Sequence, residues 1–159
     1  MAQISNWLLK SLFPNGGVKL TKSMKPQIES KNIVAVRRFY EARGNPEIVK
    51  TLLAPDVRWE VVAGFPHSGV YQGLNGVFDF FTRLFGDFED WRTEPSEILA
   101  AGDRVIGLGF YSARSKATGR SFKARFAHVW TMRDGVIIRL QQCADTVQLA
   151  KAEGQDLSK

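Results

Sequence analysis

From Asn32 onward the apolar residues recur at helical spacing, with Ile33, Val36, Phe39 and Tyr40 on one face and Gly44 standing where such a helix stops. Asn45-Pro46 then supplies a capping side chain followed by a proline suited to the first helical position, which predicts a short second helix through Leu53, ended by Ala54-Pro55-Asp56. The composition turns β-branched and aromatic in VRWEVV (residues 57–62), a predicted strand. AGFPHSGVYQG behind it is rich in turn formers and reads as a shaped loop. Val77, Phe78, Phe81, Leu84 and Phe85 make a broad apolar stripe that predicts a third helix laid on a sheet.

The second half changes period. Strand-like runs near 93–100, 104–114, 121–133 and 136–143 are separated by AGD, KATG and RDG, and RDG between apolar runs is a strong hairpin signal. Helices first and hairpin-linked strands afterwards predict an α+β layer fold: a cone formed by a bent antiparallel sheet around an apolar pocket, with three helices of the N-terminal half on its concave face. Asp145 followed by Gln148 has the spacing of a capping box and predicts a short C-terminal helix. On the long strand SFKARFAHVWTM, alternation puts Phe122, Ala124, Phe126, His128, Trp130 and Met132 on the inward face. Ser121, Lys123, Arg125, Ala127, Val129 and Thr131 take the other.

Length adds one domain to this picture: 159 residues, 44% of them hydrophobic, are enough to bury a real core. The expected organisation is a basic arm or leader over residues 1–31, a folded domain over 32–152 and a tail over 153–159. The net charge of +6 raises nucleic-acid binding as a candidate, but five lysines of residues 1–31 stand against Glu29 alone, while the rest of the chain is nearly balanced. With no helix-turn-helix pattern, finger spacing or basic block interleaved with aromatics, no nucleic-acid partner is expected. No run has the roughly 18 apolar residues of a membrane span. In the arm, ISNWLLKSLF puts Ile4, Leu8 and Leu12 on one helical face before PNGG breaks it, and it reads either as a loosely attached arm or as a partner or membrane-surface helix. It lacks the charged start and small-residue cleavage site of a secretory signal. Cys143, the single cysteine, reads as a small buried hydrophobe and fits a reducing, cytoplasmic setting.

His128 is the titratable residue of most interest. An inward imidazole between Phe126 and Trp130 must find a hydrogen-bond partner, and it either moves protons near neutral pH or stands as a satisfied cavity-wall histidine. Glu60, Tyr40, Tyr71, His67 and one of Gln141 and Gln142 are further polar candidates, since strand parity lets only one of the two glutamines face inward. Glu60 reads either as a pocket acid or as a salt-bridged surface residue. Asp145 is either a general base or a helix cap. Trp59, Phe81, Phe126 and Trp130 are candidate apolar walls. Two histidines 61 positions apart form no recognisable metal set, and no phosphate-cradling motif is present, so no metal or cofactor is expected. GLG at 107–109 falls inside a strand, where glycine permits close approach.

The segments IVAVRRFYEARGNPEIVKTLLAPDVRWEV, FPHSGVYQGLNGVFDFF, EILAAGDRVIG and FAHVWTMRDGVIIRLQQCADTVQLAKA together resemble the SnoaL-like polyketide cyclase family of the nuclear transport factor 2-like, ketosteroid-isomerase-like superfamily. The ending is also similar to plant wound-induced proteins. The resemblance implies the cone fold and a pocket for a small, mostly apolar molecule. Its activities range from cyclase, isomerase and hydrolase to none. Aromatic polyketide cyclases pair a histidine with an aspartate on the last strand. His128 matches the former, while the latter position holds Gln142, a neutral amide. Of the limonene-epoxide-hydrolase arrangement only Arg139 and Asp145 remain as fragments. The resemblance further implies a homodimer through the exposed sheet face, where Lys123, Arg125 and Thr131 lie. Two function classes follow: a cofactor-free acid–base enzyme working through His128, and a non-catalytic ligand-binding or stress-response module.

Overall fold

The computed structural model describes residues 26–155, so the amphipathic ISNWLLKSLF segment lies outside the described residues. The first helix, α1 (Pro26–Glu41), begins six residues before the predicted Asn32 and buries Val36 and Tyr40. Its successor α2 (Pro46–Leu52) is capped as expected: the Asn45 side chain accepts a hydrogen bond from the Glu47 amide at 3.0 Å. Leu53 already belongs to β1 (Leu53–Val61). Part of the predicted loop pairs with β1 as a short strand, β2 (Gly69–Gln72), matching Trp59 to Tyr71. In α3 (Gly73–Asp87) the buried stripe is Val77, Phe80 and Leu84, with Phe85 exposed. The stripe is therefore rotated from the expected one, and Phe78 and Phe81 sit at its edge, half-buried.

Four strands follow in a meander: β3 (Phe88–Ala101), β4 (Arg104–Ser115), β5 (Ser121–Arg133) and β6 (Val136–Ala144). The turn between β5 and β6 is Asp134-Gly135, both at positive φ (53° and 83°), which is the backbone twist a two-residue hairpin requires. The six strands lie in the order β2-β1-β6-β5-β4-β3 in a curved, unclosed sheet. Every neighbouring pair is antiparallel except β1 with β6, which run parallel. No turn joins those two, so nothing forces the antiparallel relation that a hairpin imposes. The edge strand β3 carries register shifts at Glu89/Arg92 and Pro95/Glu97, and such irregularities bend a strand. The edge also tolerates Pro95, whose missing N–H would break a ladder inside the sheet.

On β5 burial alternates as expected, with Phe122, Ala124, Phe126, His128, Trp130 and Met132 all inward and buried. On β4 the inward face reads Val105, Gly107, Gly109, Tyr111 and Ala113. Cys143 corrects its expectation: it is exposed, because Gln142 takes the inward parity and turns its neighbour to the outer face. The last helix, α4 (Thr146–Ala152), starts after Asp145, but the Asp145 side chain makes no cap bond, so the expected capping box does not form. No helix among the described residues is long and apolar enough to cross a membrane.

Candidate active site

Strand register brings the site together. Gly107 on β4 pairs with His128 on β5, His128 with Gln142 on β6, and Gln142 with Val61 on β1, so one row across the concave face carries glycine, imidazole, amide and a valine. Gly107 leaves a gap in this row, and Tyr40 of α1 fills it. A Cβ built on Gly107 would lie 2.1 Å from the Tyr40 hydroxyl, so only glycine lets the phenol reach the sheet. Gly109 does the same for the Phe126 ring, which stacks on His128 at 4.2 Å between centroids.

His128, 4% exposed, is held between two phenols. Its Nδ1 lies 3.0 Å from Tyr40 Oη, and its Nε2 is hydrogen-bonded to Tyr111 Oη. Tyr40 Oη also accepts from the Trp130 indole N–H at 3.1 Å. Tyr111 Oη accepts from Gln142 Nε2 at 3.3 Å, and Gln142 Oε1 accepts from the Val62 amide at 3.1 Å. Because a backbone N–H only donates, the Gln142 amide has one allowed orientation. Burial pushes the His128 imidazolium down to about 3, so the ring is neutral at physiological pH. It likewise pushes both phenols above the ordinary tyrosine range, against opposing bonds from Trp130 and Gln142 respectively. Among the described residues no carboxylate joins this network.

Tyr40, His128, Tyr111 and Gln142 form the polar floor of a cavity of about 910 Å³ enclosed by α1, α3 and the concave face of the sheet. Its walls are largely aromatic, with Trp59, Phe81 and Trp91 among them. Arg37, Glu41, Arg43, Asp90, Arg92 and Glu97 line it too, and all six are solvent-exposed. Among the described residues no group of three His, Cys, Asp or Glu side chains is placed to hold a metal ion.

Of the residues singled out from sequence, Tyr40, Trp59, Phe81, His128 and Gln142 line this cavity. Phe126 and Trp130 pack against His128 from behind the wall. Four others, Glu60, Tyr71, His67 and Asp145, lie elsewhere. Glu60 is on the surface, where Arg58 Nε (2.6 Å) and Arg139 Nη2 (2.7 Å) hold it. Partial burial raises its carboxyl, yet the bonds and charges of the two arginines bring it below the usual range. Tyr71 donates its hydroxyl to the His67 carbonyl at 2.6 Å, and His67 itself pairs with Asp87. Asp145 is exposed at the start of α4. Neither carboxylate reaches His128, because each lies on the side of its strand end or turn that faces solvent. Sequence reasoning missed Tyr111. The signal was present in β4, where alternation places Tyr111 on the same face as the two glycines.

The fold and this concave site define a class. The SnoaL-like domain model matches residues 36–140, and the chain belongs to that family. Among solved structures it is 34% identical to an NTF2-like protein from Burkholderia thailandensis E264, with a TM-score of 0.73 over 77% of this chain and 96% of that one. TerC, co-crystallised with polyporic acid, is 27% identical, with a TM-score of 0.72 over 79% of this chain and 99% of that one. A SnoaL-like polyketide cyclase from Jannaschia sp. CCS1 shares the fold at 17% identity and a TM-score of 0.72, over 82% of this chain and 96% of that one. No curated protein matches the chain.

Proposed function

We propose that the protein binds a small, mostly apolar, flat molecule in the aromatic cavity and that His128, Tyr40 and Tyr111 recognise a polar group at its buried end. The observation that carries this is the neutral imidazole bracketed by two phenols at the floor of a largely aromatic cavity of about 910 Å³, within the usual volume of small-molecule sites. Aromatic rings supply contact area and stacking, and buried neutral donors discriminate ligands by whether they complete the hydrogen bonds. Polyporic acid in the crystals of the TerC relative supports a pocket of this kind.

A general acid–base role of the kind a His–Asp pair performs is disfavoured, since His128 stays uncharged near pH 7 and has no carboxylate partner among the described residues. If the site turns a substrate over, its contribution is polarisation of a carbonyl by neutral donors, the role available to a phenol or a neutral imidazole in an isomerase- or cyclase-type step. No cofactor enters either scheme. Tryptophan emission titrated with flat aromatic carbonyl compounds tests the binding, because Trp59 and Trp91 stand in the wall. Saturable quenching that Tyr111→Phe weakens is expected. No quenching by any such compound refutes the proposal. We also propose that two copies pair through the outer sheet face, where Lys123 lies 4.6 Å from the Phe110 ring centroid. Sedimentation at micromolar concentration should then give a dimer, and a monomer refutes it.

A further inference from the structure

Strand pairing also fixes rows of side chains on the outer face of the sheet. Phe110 on β4 pairs with Glu94 on β3 and with Arg125 on β5, so an acid, an aromatic ring and a base stand in one line across three strands. The next line runs Glu97, Leu108, Ala127, and the one after it Leu99, Ile106, Val129. Leu99 is 44% exposed, and Ile106, Leu108, Phe110 and Val129 are half-buried. The β4 column of these rows is therefore wholly apolar, with carboxylates on one side of it and a guanidinium on the other. Glu94 and Arg125 are both exposed, and among the described residues neither has an ion-pair partner within the chain. A contiguous apolar strip rimmed by charge of both signs has the anatomy of a protein–protein contact.

We infer that a second copy of this chain covers these rows about a two-fold axis running along β4, with Glu94 of each subunit against Arg125 of the partner subunit. The inference rests on the sheet-face pairing proposed above and adds its axis and register. Two sheets that meet face to face about an axis parallel to their strands keep each row at its own height and exchange the strands on either side of the axis. With the axis on β4, β3 of each subunit lies over β5 of the other. Glu94 then meets Arg125 of the partner subunit at both ends of the row, Phe110, Leu108 and Ile106 meet their own counterparts, and Leu99 meets Val129 of the partner subunit. Both charged side chains are long enough to absorb the roughly 30° at which twisted sheets pack. The adjoining row sets Arg92 against Lys123 of the partner subunit, two like charges that end the contact on that side. An axis along β5 instead sets Lys123 and Arg125 against themselves. An axis across the strands lays β5 on β5, whose outer face carries no acid, so Arg125 meets no carboxylate of that strand.

The test is sedimentation of the unaltered protein, of Glu94→Arg, of Arg125→Glu and of an equimolar mixture of the two variants, each checked for folding by circular dichroism. The unaltered protein should dimerise. Each variant alone sets like charges together at both contacts and should raise the dimer dissociation constant roughly tenfold or more, with a smaller effect in high salt. The mixture should form a heterodimer, because the two reversed side chains then meet each other and the two unaltered ones do likewise. A merely structural role for either residue gives no such rescue. Variants that dimerise as tightly as the unaltered protein, or a mixture that stays monomeric, overturn this axis and register while leaving the sheet-face dimer in place. A monomeric unaltered protein overturns the pairing and this inference together.

Discussion

Lowering the pH should destabilise the protein through His128 in a way that can be isolated. The imidazolium is held down to about 3 in the folded chain against an ordinary value near 6.5. Between those values the unfolded chain binds a proton that the folded one refuses, so stability falls as pH falls through the window and is unaffected above it. Each pH unit below 6.5 costs about 1.4 kcal/mol. At pH 4.5 the loss is about 3 kcal/mol, a large fraction of the roughly 5–15 kcal/mol that holds a domain folded. Solvent does not screen this, as the ring is 4% exposed and its partners Tyr40 and Tyr111 are uncharged. The assay is urea unfolding at half-unit steps from pH 7.5 to 4.5 for the unaltered protein and for His128→Gln, which does not titrate. Surface carboxylates such as Glu60 contribute to both curves, so the difference between them reports His128. The two should run parallel above pH 6.5 and converge by about 3 kcal/mol at pH 4.5. Curves that stay parallel throughout would refute the neutral, buried imidazole.

Gly107→Ala should cost about 1–3 kcal/mol in urea unfolding, as overpacking at 2.1 Å displaces the Tyr40 phenol, and an unchanged midpoint would contradict the contact. Tyr111→Phe strands the buried Gln142 donor and leaves His128 Nε2 without its partner, with an expected cost of about 1–3 kcal/mol by the same measurement. Asp145→Ala should change the thermal midpoint far less than the loss of a working cap, about 1 kcal/mol, because its side chain bonds no helix amide. Glu60→Gln should leave ligand affinity unaltered and cost at most about 1 kcal/mol, as the ion pairs it breaks lie at the surface.

The placement of His128 was legible in the sequence because strand alternation has a period of two, and a run from Phe122 to Met132 with aromatics at every second position allows one register. The same parity restricted the inward glutamine to one of two, and Gln142 takes the place. Tyr111 was less legible, since its role depends on pairing two strands: Gly107 must oppose His128 before Tyr40 and Tyr111 can close on the ring from both sides. The glycines at 107 and 109 were the available clue, read as close approach without the identity of what approaches. The parallel β1–β6 contact lies beyond local pattern, because no turn chemistry links strands so far apart in the chain. Helix α3 illustrates a third limit. Phe78, Phe80, Phe81 and Phe85 offer two apolar faces, and the sheet beneath decides which one is buried.

The most direct test of the central claim is a crystal structure of the protein with a flat aromatic carbonyl compound that quenches its tryptophan emission. The ring should lie in the cavity beside Trp59 and Phe81, with its polar group within hydrogen-bond reach of the Tyr40 or the Tyr111 hydroxyl and His128 unmoved. A ligand found outside the cavity, or one inside it whose polar edge turns away from those hydroxyls toward the mouth, would contradict the account.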